Sequence, residues 1–220
     1  MNEKTKAITI EHMSEKERLL SIHKEFEDGF KYIHSYKKSV TFFGSARFKP
    51  DDVYYKKAEH IGYRVAKELE YVVVTGGGPG IMEAANKGAH DAGGQSIGFT
   101  IKLPHEQKDN PYLTGKLDFN FFFSRKTMMW FAAEAYLFFP GGFGTFDELF
   151  EVLTLVQTGK IEKVPIILVG EEYWKPLNTL IQEDMLSHHY TISAEDTDLY
   201  TITDDEDKIL EIIKNAPIRN

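Results

Sequence analysis

Residues 71–81 read YVVVTGGGPGI, a β-branched apolar run that breaks into four glycines and a proline before a helical pattern begins. A short strand with no polar alternation is the kind buried in a parallel sheet, and the glycines mark a tight strand-to-helix turn. Working outward, the same unit recurs. Ser39–Gly44 (SVTFFG) is another nearly all-apolar run closed by glycine, with a helix predicted over 53–70. Ala135–Phe139 (AYLFF) runs into Pro140-Gly141-Gly142-Phe143-Gly144, with a helix expected from Thr145 to Thr158.

Between these units, a helix over 81–92 and a strand over 95–100 precede residues 101–118. That stretch reads as a loop, punctuated by Pro104, Asn110-Pro111 and Gly115. Phe119–Phe123 reads as a strand, and Ser124–Glu134 as a helix with Ser124 as its cap. Downstream lie a strand at 164–169, a helix at 174–187, a short strand at 199–202 and a helix over 204–215. Strands alternating with helices predict right-handed βαβ units. The fold class is therefore α/β, a Rossmann-like doubly wound parallel sheet forming a single domain over 39–220.

Residues 1–38 are different, being charged and nearly free of Gly and Pro. Ser14 and Glu17 have capping-box spacing, and Leu19, Ile22, Phe26, Phe30 and Ile33 recur at helical spacing. An N-terminal helical extension lying on the domain or on a partner subunit is expected, with no chemistry visible in it.

The 220 residues suit one domain, and 42% hydrophobic with 27% charged residues excludes wholesale disorder. No apolar run approaches the roughly 18–20 residues of a membrane-spanning helix. The absence of Cys excludes disulfides and thiolate metal sites. Lys+Arg 26 against Asp+Glu 34 leaves −8, which opposes a broad nucleic-acid-binding face. The expectation is a soluble cytoplasmic protein with no nucleic-acid and no membrane partner. An anionic ligand would have to be held by local groups: glycine turns, helix N-termini, or one or two Arg and Lys residues.

Three glycine-containing turns fall at strand ends: Gly44-Ser45, Gly76–Gly80 and Gly141–Gly144. In an open parallel sheet, ligands bind beyond the carboxyl ends of the strands, and a helix opened by glycines offers free N–H groups to phosphate. Such turns are also common simply because strand-to-helix connections are tight. Neither long turn matches G-x-G-x-x-G, and no G-x-x-x-x-G-K-[ST] occurs, which disfavours a dinucleotide dehydrogenase or a P-loop NTPase.

The combination of motifs is more specific. Pro140 to Thr145 is followed by Phe146-Asp147-Glu148. Thr145 could cap the helix and donate its hydroxyl to phosphate, with Glu148 in the same first turn. A carboxylate beside a phosphate site serves a cation or a reaction, unless it merely closes a capping box with Thr145. Ser124-Arg125-Lys126 places two cations at a helix N-terminus, against the helix dipole, unless an anion or carboxylate compensates. Otherwise they are a solvated pair.

Gly76-Gly77-Gly78-Pro79-Gly80-Ile81-Met82-Glu83-Ala84, Ser124-Arg125-Lys126 and Pro140-Gly141-Gly142-Phe143-Gly144-Thr145-Phe146-Asp147-Glu148 together resemble the Lonely guy family. These cytokinin-activating phosphoribohydrolases were long labelled "lysine decarboxylase-like". The resemblance runs from residue 39 to the last helix, and the N-terminal extension looks like that of the longer bacterial branch. It implies hydrolysis of the N-glycosidic bond of a nucleoside 5′-monophosphate, AMP or an N6-prenylated AMP, to free base and ribose 5-phosphate.

The resemblance also implies a homodimer or an oligomer built from dimers, and no metal or organic cofactor. The family's catalytic Arg and Glu fall on Arg125 and Glu148. The 5′-phosphate would sit on Gly142, Phe143, Gly144 and Thr145, with Gly77 and Gly78 nearby, and Gly141 and Lys126 are further substrate-binding candidates. Gly44, Ser45 and Met82 would lie near the base or ribose. Glu83 stands where many plant members carry glycine, and the loop over 102–116 is longer, so both bear on base choice. The decarboxylase label would need pyridoxal phosphate on a Schiff-base lysine, and Lys126 is the only lysine near the motifs.

Phe121–Phe123 and Met128-Met129-Trp130 read as core or subunit contacts, and His105, His188 and His189 as surface residues. The alternative is a nucleotide or phosphorylated-pterin carrier of the same fold, resembling molybdenum-cofactor carriers, which would not need the Arg125/Glu148 pair.

Overall fold

The computed structural model describes residues 13–36, 38–102 and 108–218; His105 lies outside them. Seven strands form one parallel sheet, β1 (Ser39–Phe43), β2 (Val72–Thr75), β3 (Ser96–Ile101), β4 (Gly115–Phe119), β5 (Ala135–Phe138), β6 (Ile166–Leu168) and β7 (Thr201–Ile202). Their spatial order is β4-β3-β2-β1-β5-β6-β7, so strand order reverses between β1 and β5. The two central strands pair in parallel register from Val40↔Ala135 to Phe43↔Phe138. This is the expected doubly wound α/β sheet, and its reversal point opens a crevice at the carboxyl ends of β1 and β5.

The helices are α1 (Glu15–Ile33), α2 (Val53–Glu68), α3 (Ile81–Asp91), α4 (Phe122–Phe131), α5 (Phe143–Gln157), α6 (Glu171–Thr179) and α7 (Glu206–Lys214). A wide-turn helical segment, Leu180–His188, continues α6. Alternate strand residues feed two cores. Val40, Val73, Leu137 and Ile167 pack with α2, α3 and α7, while Phe43, Val74, Phe138 and Leu168 pack with α1, α4, α5 and α6. The central strands carry no polar alternation because both of their faces are covered. Among the described residues, no helix is long and apolar enough to cross a membrane.

Several boundaries differ from the sequence reading. The loop expected over 101–118 contains β4, and the strand expected at Phe119–Phe123 lies four residues earlier. β4 is an edge strand whose Lys116 and Asp118 are exposed while Gly115 and Leu117 are part-buried and only Phe119 is buried, which gave it the composition of a loop. Phe122 and Phe123 are instead the exposed start of α4. Ser124 is therefore not the cap: Phe121 occupies that position and makes no side-chain cap bond.

The capping box of Ser14 and Glu17 is present on α1. Of the apolar stripe on this helix, Leu19 stands exposed, while Glu25 and Gly29 are buried with Ile33. The α1 face is thus turned toward α4. A β-carbon at Gly29 would collide with the Met128 side chain, and the Phe30 ring packs tilted against Phe131 with centroids 5.3 Å apart.

Candidate active site

The three glycine turns meet at the reversal point and are stitched together by backbone. The Ser45 N–H donates to the Pro140 carbonyl at 3.0 Å, and the Ser45 carbonyl accepts from the Ile81 N–H at 3.0 Å. Gly80 makes this possible. It has φ +71°, and a β-carbon there would strike the backbone of Ser45 and Ala46. The result is a cleft of about 830 Å³ bounded by the ends of β1 and β5 and the first turns of α2, α5 and α6.

Of the residues singled out from the sequence, Gly44, Ser45, Met82, Arg125, Gly141, Gly142, Phe143, Gly144, Thr145 and Glu148 line this cleft. Gly77, Gly78, Glu83 and Lys126 do not. Gly77 and Gly78 are covered by the loop after β3: Asn110 donates its backbone N–H to the Gly77 carbonyl at 2.9 Å and its side-chain amide to the Gly78 carbonyl at 3.1 Å. Glu83 turns toward α2 and accepts from the Tyr55 hydroxyl at 3.0 Å. The Lys126 amine is bound to Asp147 and Glu151, each at 2.8 Å.

α5 starts two residues earlier than its sequence suggested. Gly142 is the cap, with no side-chain cap bond, and Phe143 and Gly144 lie in the first turn. Thr145 is therefore not the cap. It is buried in the first turn, where its hydroxyl fills the space a β-carbon at Gly141 would need. Glu148 is in the second turn, and no acidic residue occupies the first, so it closes no capping box. Among the described residues no side chain accepts from the first-turn N–H groups of this 15-residue helix, whose Phe143, Gly144 and Thr145 line the cleft, a favourable place for an anion.

Arg125 and Glu148 face each other across the α4–α5 contact, Nη1 to Oε1 at 3.7 Å. This is an ion pair without a hydrogen bond, so both groups keep capacity for a ligand. The side chains are only 10% and 13% exposed. Arg125 Nε donates to the Phe99 carbonyl at 2.7 Å, which fixes the guanidinium from behind. Burial pushes its pKa down, while Glu148 pushes it back up.

Burial drives the Glu148 pKa up to about 7, against the lowering pull of Arg125 and Lys126 and with Asp147 and Glu151 adding to the rise. For Lys126, burial alone would lower the pKa. The hydrogen bond to Asp147 and the ion pair with Glu151 outweigh it and hold the amine above the ordinary lysine value. The unfavourable cations at the start of α4 are thus compensated by carboxylates, as their position requires.

Sequence reasoning passed over Gly76, whose β-carbon would collide with the Arg125 guanidinium. Its place as the first residue of the glycine turn, immediately after β2, is the signal that marked it. Tyr54 and Tyr173 also line the cleft, from the first turns of α2 and α6, and the Tyr173 hydroxyl donates to the Gly141 carbonyl. Gly76→Ala is expected to lower stability by about 1–3 kcal/mol through overpacking against Arg125, read as a lower urea midpoint. An unchanged midpoint would mean that the guanidinium swings away freely.

A family model described as "Possible lysine decarboxylase" matches residues 82–213. A cytokinin riboside 5′-monophosphate phosphoribohydrolase of Rhodococcoides fascians is 32% identical over 152 residues, covering 66% of this chain and 74% of that protein. One of Arabidopsis thaliana is 28% identical over 131 residues, covering 59% of this chain; the match spans 62% of the plant protein. Among solved structures, the molybdenum cofactor binding protein of Rippkaea orientalis superposes with TM-score 0.57 at 22% identity, covering 81% of this chain and 96% of that one. That likeness is one of fold.

Proposed function

The chain belongs to the Lonely guy family, and on that premise we propose that it hydrolyses the N-glycosidic bond of a nucleoside 5′-monophosphate, releasing the free base and ribose 5-phosphate. The observation that carries this reading is the buried Arg125–Glu148 pair, two charged groups 3.7 Å apart beside a helix N-terminus suited to phosphate. A protein that only carried a nucleotide would have no use for a buried carboxylate next to an anion.

The 5′-phosphate rests on the first-turn N–H groups of α5, at Phe143, Gly144 and Thr145, with Arg47 as a further cation at the cleft. Water adds to C1′ as the bond from C1′ to the base nitrogen breaks, through a transition state with positive charge on the sugar. The Glu148 carboxylate stands at the reacting carbon, where it stabilises that charge and takes the proton of the incoming water. Arg125 favours the ionised form of Glu148 against its burial and meets the leaving base or the sugar hydroxyls; the base nitrogen keeps the bonding pair and takes its proton from solvent. AMP and N6-prenylated AMP are the substrates of this reading. Exposed Phe122 and Phe123 on α4 and Phe143 on α5, the last 96% exposed, support association of copies into a homodimer or larger oligomer.

The decarboxylase description does not fit these residues. A Schiff-base lysine must offer a free amine to its cofactor, whereas Lys126 lies outside the cleft lining and is held by two carboxylates.

The experiment is to incubate the protein with AMP, isopentenyl-AMP, IMP and GMP and to resolve free base and ribose 5-phosphate by chromatography. Stoichiometric release from at least one adenine nucleotide is expected. No release from any of them, with nucleotide binding retained, would replace the hydrolase reading with that of a carrier.

A further inference from the structure

The N-terminal helix carries a buried carboxylate that the mechanism above does not use. Glu25 of α1 is 7% exposed. Its Oε1 accepts from the Asn120 backbone N–H at 2.7 Å and from the Asn120 side-chain amide at 2.8 Å, and its Oε2 accepts from the Ser124 hydroxyl. Asn120 and Ser124 bracket the start of α4, whose own cap position, Phe121, has no side chain able to accept a bond. A carboxylate from a helix nearly 100 residues away in sequence thus ties the residue ahead of the α4 cap, Asn120, to the side chain of Ser124 in the first turn of α4. One residue beyond Ser124 is Arg125.

Resting on the hydrolase reading, we propose that Glu25 is a positioning residue, through which α1 fixes the first turn of α4 and so aims Arg125 at Glu148 and the substrate. The argument is geometric. Arg125 is held at its guanidinium by Phe99 and at its back by the close approach to Gly76, but the direction from which it enters the cleft is set by the first turn of α4. That turn has no side-chain cap of its own. Gly29 against Met128 and Phe30 against Phe131 continue the same α1–α4 seam, so Glu25 is the polar end of a docked helix.

The test is steady-state hydrolysis of AMP by wild type, Glu25→Gln, Glu25→Ala and Ser124→Ala, each with a full pH profile and a thermal unfolding curve. Glu25→Ala is expected to lower kcat about 10- to 100-fold with KM changed less than about threefold, as misplaced catalytic groups do. Glu25→Gln, which keeps an acceptor for Asn120, should recover most of that loss.

The groups that face Glu148 are Arg125 and Lys126 from α4 and Asp147 and Glu151 from α5. Drawing the α4 cations away leaves the two carboxylates, so the acid limb of the Glu25→Ala profile should move up by about one pH unit. Losses from Glu25→Ala and Ser124→Ala should be less than additive, because both break one contact.

A folded Glu25→Ala protein with wild-type kcat and an unmoved acid limb would overturn the proposal. So would an activity loss that only follows the unfolded fraction, with the limb unmoved. Ser124→Ala, a smaller change, keeps the test open if Glu25→Ala does not fold. If wild type itself releases no base, the hydrolase reading fails and the proposal falls with it.

Discussion

Glu148→Gln is expected to lower kcat for nucleoside monophosphate hydrolysis by about 10²- to 10⁴-fold, the range for loss of a general base or charge-stabilising group. Nucleotide affinity should change only a few-fold. The amide keeps the volume and position of the carboxyl beside Arg125, but it can neither carry the charge that the sugar cation needs nor accept a proton from water. The wild-type pH profile carries the same signature. Burial has raised the Glu148 pKa to about 7, and in the proposed mechanism the active form is the ionised one. Activity should therefore rise with pH through about 7 and level off above it, a limb far higher than an ordinary glutamate would produce. Comparable base release from the variant, or a wild-type profile flat from pH 5.5 to 8.5, would remove Glu148 from the chemistry.

The second large effect is on stability, and its sign is opposite. Glu148 has a folded pKa of about 7 against an ordinary value of 4.5. The folded protein binds this proton more tightly than the unfolded chain does. The group's contribution is thus at its best below about 4.5, and it is lost progressively as pH rises through about 7. At 1.36 kcal/mol per unit, the cost of the ionised carboxylate above that range is at most about 3 kcal/mol.

Glu148→Gln should therefore be more stable than wild type at pH 8, by up to about 3 kcal/mol, with the difference shrinking toward pH 5. Urea unfolding at the two pH values measures it. A variant less stable than wild type at pH 8 would show that Arg125 loses more from the missing partner than the buried charge cost. A stabilised, inactive variant would mark Glu148 as a residue kept for function against folding.

The α/β sheet and the order of its elements were readable because the parallel strands are buried on both faces and written in Val, Ile, Phe and glycine. The site motifs were readable for a related reason: a strand-to-helix turn that must admit an anion is confined to glycines and small residues. What misled was local chemistry at element ends. Phe121-Phe122-Phe123 has the composition of a strand, yet two of its rings are exposed on a helix, while β4 hides behind Lys116 and Asp118 because an edge strand is half polar. Thr145 and Ser124 have the chemistry of caps, but each helix starts earlier, since the glycines and aromatic residues ahead of them adopt helical backbone without a competing side-chain bond.

By itself the sequence determined the layered α/β fold and the three glycine turns, because backbone geometry is a local property of a motif, and its resemblance to a family marked the candidate pair Arg125 and Glu148. Tertiary structure alone decided which motif residues meet. It put the Gly77-Gly78 turn under Asn110, tied Lys126 to two carboxylates and set Gly76 beneath Arg125. It also brought Glu25 from a helix with no visible chemistry to the start of α4. Nothing in a linear pattern encodes these outcomes. They follow from strand order and from the burial that makes each unpaired charge seek a partner.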